Sequence, residues 1–457
     1  MSIPNLDLTN SFFDSLRQSE FQRLDAEKQV YLDFTGGNLY PNSLLEKHFD
    51  SLRKHTFGNP HSTNPSSLLA TKLVDSAREK VLEFFNAEDY YCVFTANASG
   101  ALQIVGENYP FNEDSVFLLT SDNHNSVNGI REYCKRNGGV HQYVTINYED
   151  LQVNEEDLWK QMEAKQHYGT KLFAFPAQSN VSGAKHDLSY IQKFQDKGWD
   201  VLLDAAAFVP TTKLDLQEVK PNFVCVSFYK IFGYPTGLGC LLIRKDTFPK
   251  LQKRWFAGGT VSMVAVNYDT YFLVENHERF ENGTINYLDI PAIENGLNFI
   301  ESIGINRINA RVKELTHYLL THLSNLTHSN GNPVLRIFGP EGTENRGGNI
   351  ILNFFDEDEK AFSYEYVQEA SNIKNISLRS GCFCNPGIDE INSCLSNDDL
   401  SHYFSSRDHV NSNERSLMLG KMRGAIRVSV GIATNQADLD HFISFAKSFI
   451  NTKVSSI

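Results

Sequence analysis

The chain has 457 residues, more than a single hydrophobic core usually organises, so two domains or one large domain with an appendage are expected. Hydrophobic residues make up 41% of it and charged residues 21%, ordinary for a globular protein, and no apolar run approaches the roughly 18 residues that a membrane span needs. The net charge of −13 argues against nucleic acid and anionic membranes as partners, because both are bound through basic clusters.

The opening MSIPNLDLTNSFFDSL has neither a basic start before an apolar stretch nor an Arg-rich amphipathic pattern. It does not read as a targeting peptide, and a cytoplasmic location is the expectation. From Tyr31 to Leu241 short apolar runs alternate with longer amphipathic stretches. YYCVFTA, SVFLLT, KLFAFPA, DVLLDAAAF and NFVCVSF predict strands, and LLATKLVDSAREKVLEFF, SVNGIREYCKRN and LSYIQKFQDKG predict helices between them. That alternation predicts an α/β domain with a mostly parallel sheet over residues 31–290, behind an N-terminal segment 1–30. From Pro291 one long helical reading, IPAIENGLNFIESIG running on through INRINARVKELTHYLLTHLSNL, precedes the strand candidates VLRIFG, GGNIILNFF, ISLRS and AIRVSVG. A smaller α+β domain is expected over 291–457. Within it the polar stretch Ser393–Glu414 lacks periodicity and predicts a partly helical, mobile insert.

In open α/β sheets ligands sit beyond the carboxyl ends of the strands. Here DVLL ends in Asp204, VCVSF leads to Lys230 and a glycine-rich loop, YCVF opens into the turn TANASG, and FLLT leads to His124 in SDNHNS. Pyridoxal phosphate asks for such a set: a lysine to bind its aldehyde, an acid for its pyridine nitrogen, and amide donors for its phosphate. The amides of Ala98 and Ser99 open the helical reading ALQIVGENY, a place that favours an anion. His124 can stack on a ring or move a proton. Singly, each residue has an ordinary reading: a lysine is most often a solvated charge, an aspartate a turn cap, a histidine a hydrogen-bonded structural group. The functional case is their co-occurrence at successive strand ends.

The segments DNHNSV, PAQSNVSG, LDAAAF, SFYKIFGYPTGLG, GGTV, FENGTINYLD and RSGCFCNPG together resemble the fold-type I, class V aminotransferase superfamily. Within it they look most like the cysteine-desulfurase part of molybdenum cofactor sulfurases. The resemblance runs from about Tyr31 to the C-terminal helix and implies a fold-type I architecture with pyridoxal 5'-phosphate as cofactor. It makes Lys230 the lysine that carries the cofactor, Asp204 the partner of the pyridinium nitrogen and His124 the ring-stacking histidine. Ala98, Ser99 and Ser227 match phosphate-contacting positions, and Asn180 matches an asparagine beside the phenolic oxygen and the substrate. Gly283 and Thr284 match a turn that reaches the phosphate of a neighbouring subunit, which implies a homodimer. Arg427 matches the arginine that clamps the substrate carboxylate; Arg379 is a further candidate on the substrate side, placed to lower the pKa of Cys384, or a structural ion-pair partner.

Two positions depart from many desulfurases: Ala207 stands where they carry a glutamine, and Tyr229 where they carry a histidine, although the sulfurase subgroup resembles this chain at SFYK. Seven cysteines, odd in number and thinly scattered, read as reduced thiols rather than a disulfide framework. The resemblance aligns Cys384 with the cysteine that accepts sulfur. In an extended RSGCFC segment Cys382 would point the opposite way. The implied reaction is the conversion of cysteine to alanine with an enzyme persulfide; members of the subgroup carry a further C-terminal domain, and the sulfur acceptor stays open. Another reaction on the same scaffold, that of an aminotransferase, epimerase or C–S lyase, is the alternative, and it needs no nucleophilic thiol. A silent sulfur carrier or scaffold is a third reading, against which the retained Lys230, Asp204, His124 and Arg427 speak.

Overall fold

The computed structural model describes residues 8, 10–392 and 424–454; the expected insert Ser393–Glu414 lies outside the described residues. Seven strands form the main sheet in the spatial order Tyr90–Thr95, Gly239–Arg244, Phe223–Ser227, Asp200–Asp204, Thr170–Pro176, Ser115–Thr120 and Val140–Val144. Gly239–Arg244 is antiparallel to both neighbours and every other pairing is parallel, so the sheet is mostly parallel, as expected. Along Phe223–Ser227, Val224 and Val226 enter one buried cluster while Phe223 and Cys225 enter another. Both sheet faces are therefore covered, which is why these strands read as unbroken apolar runs and not as alternating ones. Each such side chain contributes about 1.5–3 kcal/mol by leaving water, and the sheet is held rigid where its strand ends carry the site.

A second sheet of four antiparallel strands follows, in the order Leu335–Phe338, Asn349–Phe354, Ala425–Ser429 and Arg379–Gly381. The expected strand ISLRS divides: Arg379–Gly381 joins this sheet, while Ile376–Ser377 pairs in parallel with Val30–Tyr31 from the N-terminal part of the chain. That pairing and the bridge from Asp33 to Ser429 lay the N-terminal residues on the second sheet. Buried Arg17 fastens them, donating to Asp25 and to Asp438.

The long helical reading after Pro291 is broken into Pro291–Ile303 and Ile305–Leu323. Gly304 sits at φ +91 between them, a conformation that ends a helix and that glycine adopts without steric penalty. A hairpin of Val261–Ala265 and Thr270–Leu273 had no counterpart in the sequence reading; it exposes Met263 and Phe272 at 64% and 62%. No helix among the described residues is long and apolar enough to cross a membrane.

Candidate active site

Thr95 and Ser227 both pair with Gly239, and Asp204 pairs with Pro176 and Cys225, so these strand ends share one edge of the main sheet. A cavity of about 180 Å³ lies there. Lys230 reaches it from the short helix Phe228–Phe232, which follows the buried strand directly. Gly233, at φ +82, ends that helix against the backbone of Leu39 and Tyr40, where a Cβ would overlap both. Half-buried Lys230 makes no hydrogen bond or ion pair among the described residues. Burial lowers its pKa, Asp204 opposes the shift, and Arg427 adds to it.

Asp204, the last residue of its strand, is buried, and its Oδ1 accepts from the Ala206 N–H at 3.0 Å and from the Cys225 thiol at 3.4 Å. Burial in turn pushes that thiol well above its usual range. His124 caps the helix Asn125–Asn128, its Nδ1 accepting from the Ser126 N–H at 3.1 Å. With Nδ1 an acceptor, the neutral ring carries its proton on Nε2. Burial lowers the His124 pKa, opposed by Asp204 and assisted by Lys230, which favours that neutral ring.

The N-terminus of the 11-residue helix Ala98–Asn108 opens on the same cavity. Its donors are unequal: the Ala98 N–H is taken by Ser227 Oγ at 2.8 Å and the Gly100 N–H by Asn97 Oδ1 at 3.0 Å. That leaves the Ser99 N–H and the Ser227 hydroxyl proton to meet an anion at the positive end of the helix. Tyr229 and Ala207, the two departures, also line the cavity. So does a residue the sequence reading missed. Gln178, 3% exposed, donates from Nε2 to Asn349 Oδ1 at 3.2 Å and leaves its Oε1 without a partner. It extends the strand Thr170–Pro176 beside Asp204, and a Cβ on Gly347 would overlap its amide. A partnerless amine, an acid close enough to raise its pKa, a helix N-terminus with a hydroxyl and an orphaned buried amide oxygen in one enclosure fit pyridoxal phosphate.

Ala98, Ser99, His124, Asn180, Asp204, Ser227 and Lys230 thus share the cavity; Arg379, Cys384, Arg427, Gly283 and Thr284 do not line it. Arg427 is 3% exposed, donating to Asp33 Oδ1 at 2.9 Å and to the Asn180 carbonyl at 2.8 Å, with its Nε unpartnered. Arg379 makes three hydrogen bonds to the same aspartate, at 3.2, 3.0 and 2.7 Å. Asp33 had no signal in the sequence reading, and two guanidinium groups against its one carboxylate leave a local charge of +1. Burial lowers the Arg427 pKa against the pull of Asp33, while the hydrogen bond to Asp33 raises that of Arg379.

The RSGCFC segment is not extended throughout. Its strand ends at Gly381, and Phe383 and Cys384 both adopt left-handed φ, +55° and +54°, which costs about 1–2 kcal/mol for each such residue. Cys382 and Cys384 therefore do not take opposite sides of an extended strand: Cys384 is exposed on the turn, and half-buried Cys382 lines a small separate void with Val181 and Ile388. Asn180 ties the turn to the cavity, donating from Nδ2 to the Phe383 carbonyl at 2.9 Å. Gly283, at φ +74, and Thr284 are exposed, with Thr284 Oγ1 accepting from Asn59 at 3.4 Å.

The sequence profile of the family described as Aminotransferase class-V matches residues 30–442. The chain is 36% identical over 469 residues to the molybdenum cofactor sulfurase of Solanum lycopersicum, across 95% of this chain and 57% of that protein. It is 35% identical over 470 residues to the molybdenum cofactor sulfurase of Homo sapiens, across 96% of this chain and 51% of that protein. The chain therefore spans about half the length of the curated relatives it matches. Among solved structures, the apo cysteine desulfurase of Thermococcus onnurineus NA1 has a TM-score of 0.79 at 23% identity, covering 98% of both chains, and so shares the fold. With the family match running from the strand Val30–Tyr31 into the helix Gln436–Lys447, the chain belongs to the class-V aminotransferase family, whose cofactor is pyridoxal phosphate.

Proposed function

We propose that this chain is a cysteine desulfurase of the molybdenum cofactor sulfurase type, taking cysteine to alanine and passing the sulfur on from a persulfide on Cys384. The observation that carries the reading is the partnerless Lys230 amine facing Asp204 and a helix N-terminus in one cavity, beside an exposed cysteine on a turn tied to the same cavity through Asn180. Bound there, pyridoxal phosphate supplies an electron sink that makes the substrate's Cα proton removable. Asp204 would hold the proton of the pyridine nitrogen, and the Ser99 N–H and Ser227 hydroxyl would hold the phosphate. His124, with Nε2–H as its donor, would stack on the ring, and Asn180 would meet the phenolic oxygen and the substrate. Lys230 would bind the cofactor's aldehyde and serve as the base for the Cα proton, a role that its lowered pKa suits.

The carboxylate of the substrate goes to the Arg427–Arg379 pair, where a net charge of +1 suits a monoanion and guanidinium geometry suits a carboxylate. The Cys384 thiolate attacks the sulfur of the substrate; an S–S bond forms, the C–S bond breaks, its electrons stay with the substrate, and protonation at Cβ together with return of the proton to Cα yields alanine. We further propose a large cofactor-holding domain over 31–290 and a smaller one over 291–457. The working form is a cytoplasmic homodimer in which Gly283 and Thr284 reach the neighbour's phosphate. The name of the relatives makes a molybdenum-cofactor-linked acceptor the first to test.

That Cys384 does not line the cavity favours one second reading, a class-V enzyme that needs no thiol, such as a C–S lyase, epimerase or aminotransferase. Purified holoprotein given a panel of amino acids decides between them. Alanine from cysteine together with a protein persulfide supports the desulfurase; sulfide with pyruvate and no alanine assigns a lyase; amino transfer to a keto acid assigns a transaminase.

A further inference from the structure

We infer that Asn385 is a positioning residue, a clamp that holds the Cys384 turn against the cavity and fixes which end of the Asn180 amide faces into it. Asn385 is fully buried. Its Nδ2 donates to the Asp122 carbonyl at 2.6 Å and to Asn180 Oδ1 at 3.0 Å, its Oδ1 accepts from the Ile388 N–H at 3.4 Å, and its own N–H closes the turn onto the Cys382 carbonyl at 3.0 Å. The Cys384 carbonyl, immediately before Asn385, accepts from the Asn125 N–H at 2.7 Å. The turn is thus fastened through the Cys384 carbonyl and Asn385 to the loop that presents His124, and through the Phe383 carbonyl and Asn385 to Asn180, whose own carbonyl receives Arg427.

Two consequences follow from the donor and acceptor count. Phe383 and Cys384 sit in a left-handed conformation that neither residue prefers, so the turn persists only while the surrounding bonds hold it. Because Asn385 takes Asn180 Oδ1 and the Phe383 carbonyl takes one Nδ2 proton, the second Nδ2 proton is what Asn180 has left for an oxygen in the cavity. Asn385 therefore couples the placement of the thiol to the polarity of the cavity wall. Its position in a CNPG string reads locally as nothing more than a turn residue.

This rests on Cys384 as the sulfur carrier, and the test separates the two ideas. Asn385→Ala and Asn385→Asp both remove the Nδ2 donors, and the second keeps the size. The alkylation rate of each cysteine is followed by peptide mass spectrometry in the full-length holoprotein. Each lost hydrogen bond that held the turn releases it by roughly fivefold, so Cys382, half-buried at the start of the turn, should react about tenfold or more faster in both variants, while Cys384, already exposed, changes little. Buried Cys92, Cys134, Cys225 and Cys240 should stay protected. An unchanged Cys382 rate in a variant with protected buried thiols overturns the clamp, as does a parallel rise of all thiols in both variants. With cysteine added, both variants should accumulate less persulfide per alanine released than the wild type. A wild type that forms no persulfide on Cys384 sinks the desulfurase reading, while the alkylation rates still decide the clamp.

Discussion

Replacing Asp33 by asparagine probes the charge arrangement beside the cavity most directly. The substitution keeps the shape and removes the one negative charge between Arg379 and Arg427. The two lost pairs are unequal: the Arg427 side chain is 3% exposed and that of Arg379 51%. An exposed pair is worth at most about 1 kcal/mol, whereas leaving the Arg427 cation buried without a counter-charge costs about 3–5 kcal/mol. Asp33→Asn should therefore destabilise the apoprotein by about 3–5 kcal/mol, against about 1 kcal/mol or less for Arg379→Gln. Both are read as displacements of the urea midpoint at constant slope. Substrate binding should move the other way. Two guanidinium groups that no longer share a carboxylate attract that of cysteine more strongly, so KM should fall in Asp33→Asn and rise in Arg427→Gln. A wild-type urea midpoint for Asp33→Asn, or a KM raised as in Arg427→Gln, refutes the view that Asp33 balances a buried cation and tempers its pull on the substrate.

Burial lowers the Lys230 pKa, and an amine captures an aldehyde only when neutral. The rate at which apoprotein takes up pyridoxal phosphate should therefore reach half its plateau below pH 10.5, the ordinary lysine value. Asp204→Asn removes the charge that opposes the shift and should lower the midpoint further; a midpoint at the ordinary value contradicts the burial argument. Borohydride treatment should fix cofactor mass to Lys230 in the wild type and to no lysine in Lys230→Ala, and a label on a different lysine would displace the assignment. Cys384→Ser should keep the colour of the holoprotein and accumulate no persulfide, while Cys382→Ala retains most of it; a persulfide mapped to Cys382 reverses their roles.

What is readable in the linear chain is what local physics marks. Asp204 and Lys230 end or follow apolar runs, and His124 follows FLLT, so the rule that ligands lie beyond strand ends finds all three. Asp33, Gln178 and Asn385 are invisible to that reasoning because their meaning lies in partners 346, 171 and 205 positions away. The hairpin at Val261–Leu273 escapes for a different reason. Exposed apolar residues stand on both of its strands, so no contrast of period two marks it. The left-handed pair Phe383 and Cys384 escapes because neither is glycine and no local residue type calls for that conformation. The helix break at Gly304 is readable in principle, since glycine between two amphipathic stretches is a common stop; the strength of the periodicity on either side hides it.

The residues around the cavity come from two sources, and the division has a chemical consequence. Strand ends of the seven-stranded sheet supply Lys230, Asp204, His124 and the helix N-terminus, which are the groups that fit the cofactor. The second sheet, and the N-terminal strand laid on it, supply Asp33, Arg379, Arg427 and the cysteine turn. The two sets meet where Arg427 donates to the Asn180 carbonyl, Asn180 to the Phe383 carbonyl, Asn125 to the Cys384 carbonyl and Asn385 to the Asp122 carbonyl. Holding the cofactor and delivering the sulfur are therefore separable by mutation. Lys230→Ala should erase the colour of the protein, and Cys384→Ser should leave the colour and lose the persulfide. Since one scaffold serves many reactions and the site decides among them, what distinguishes this chain chemically from other class-V enzymes should reside in that second set and in the hydrogen bonds that join it to the first.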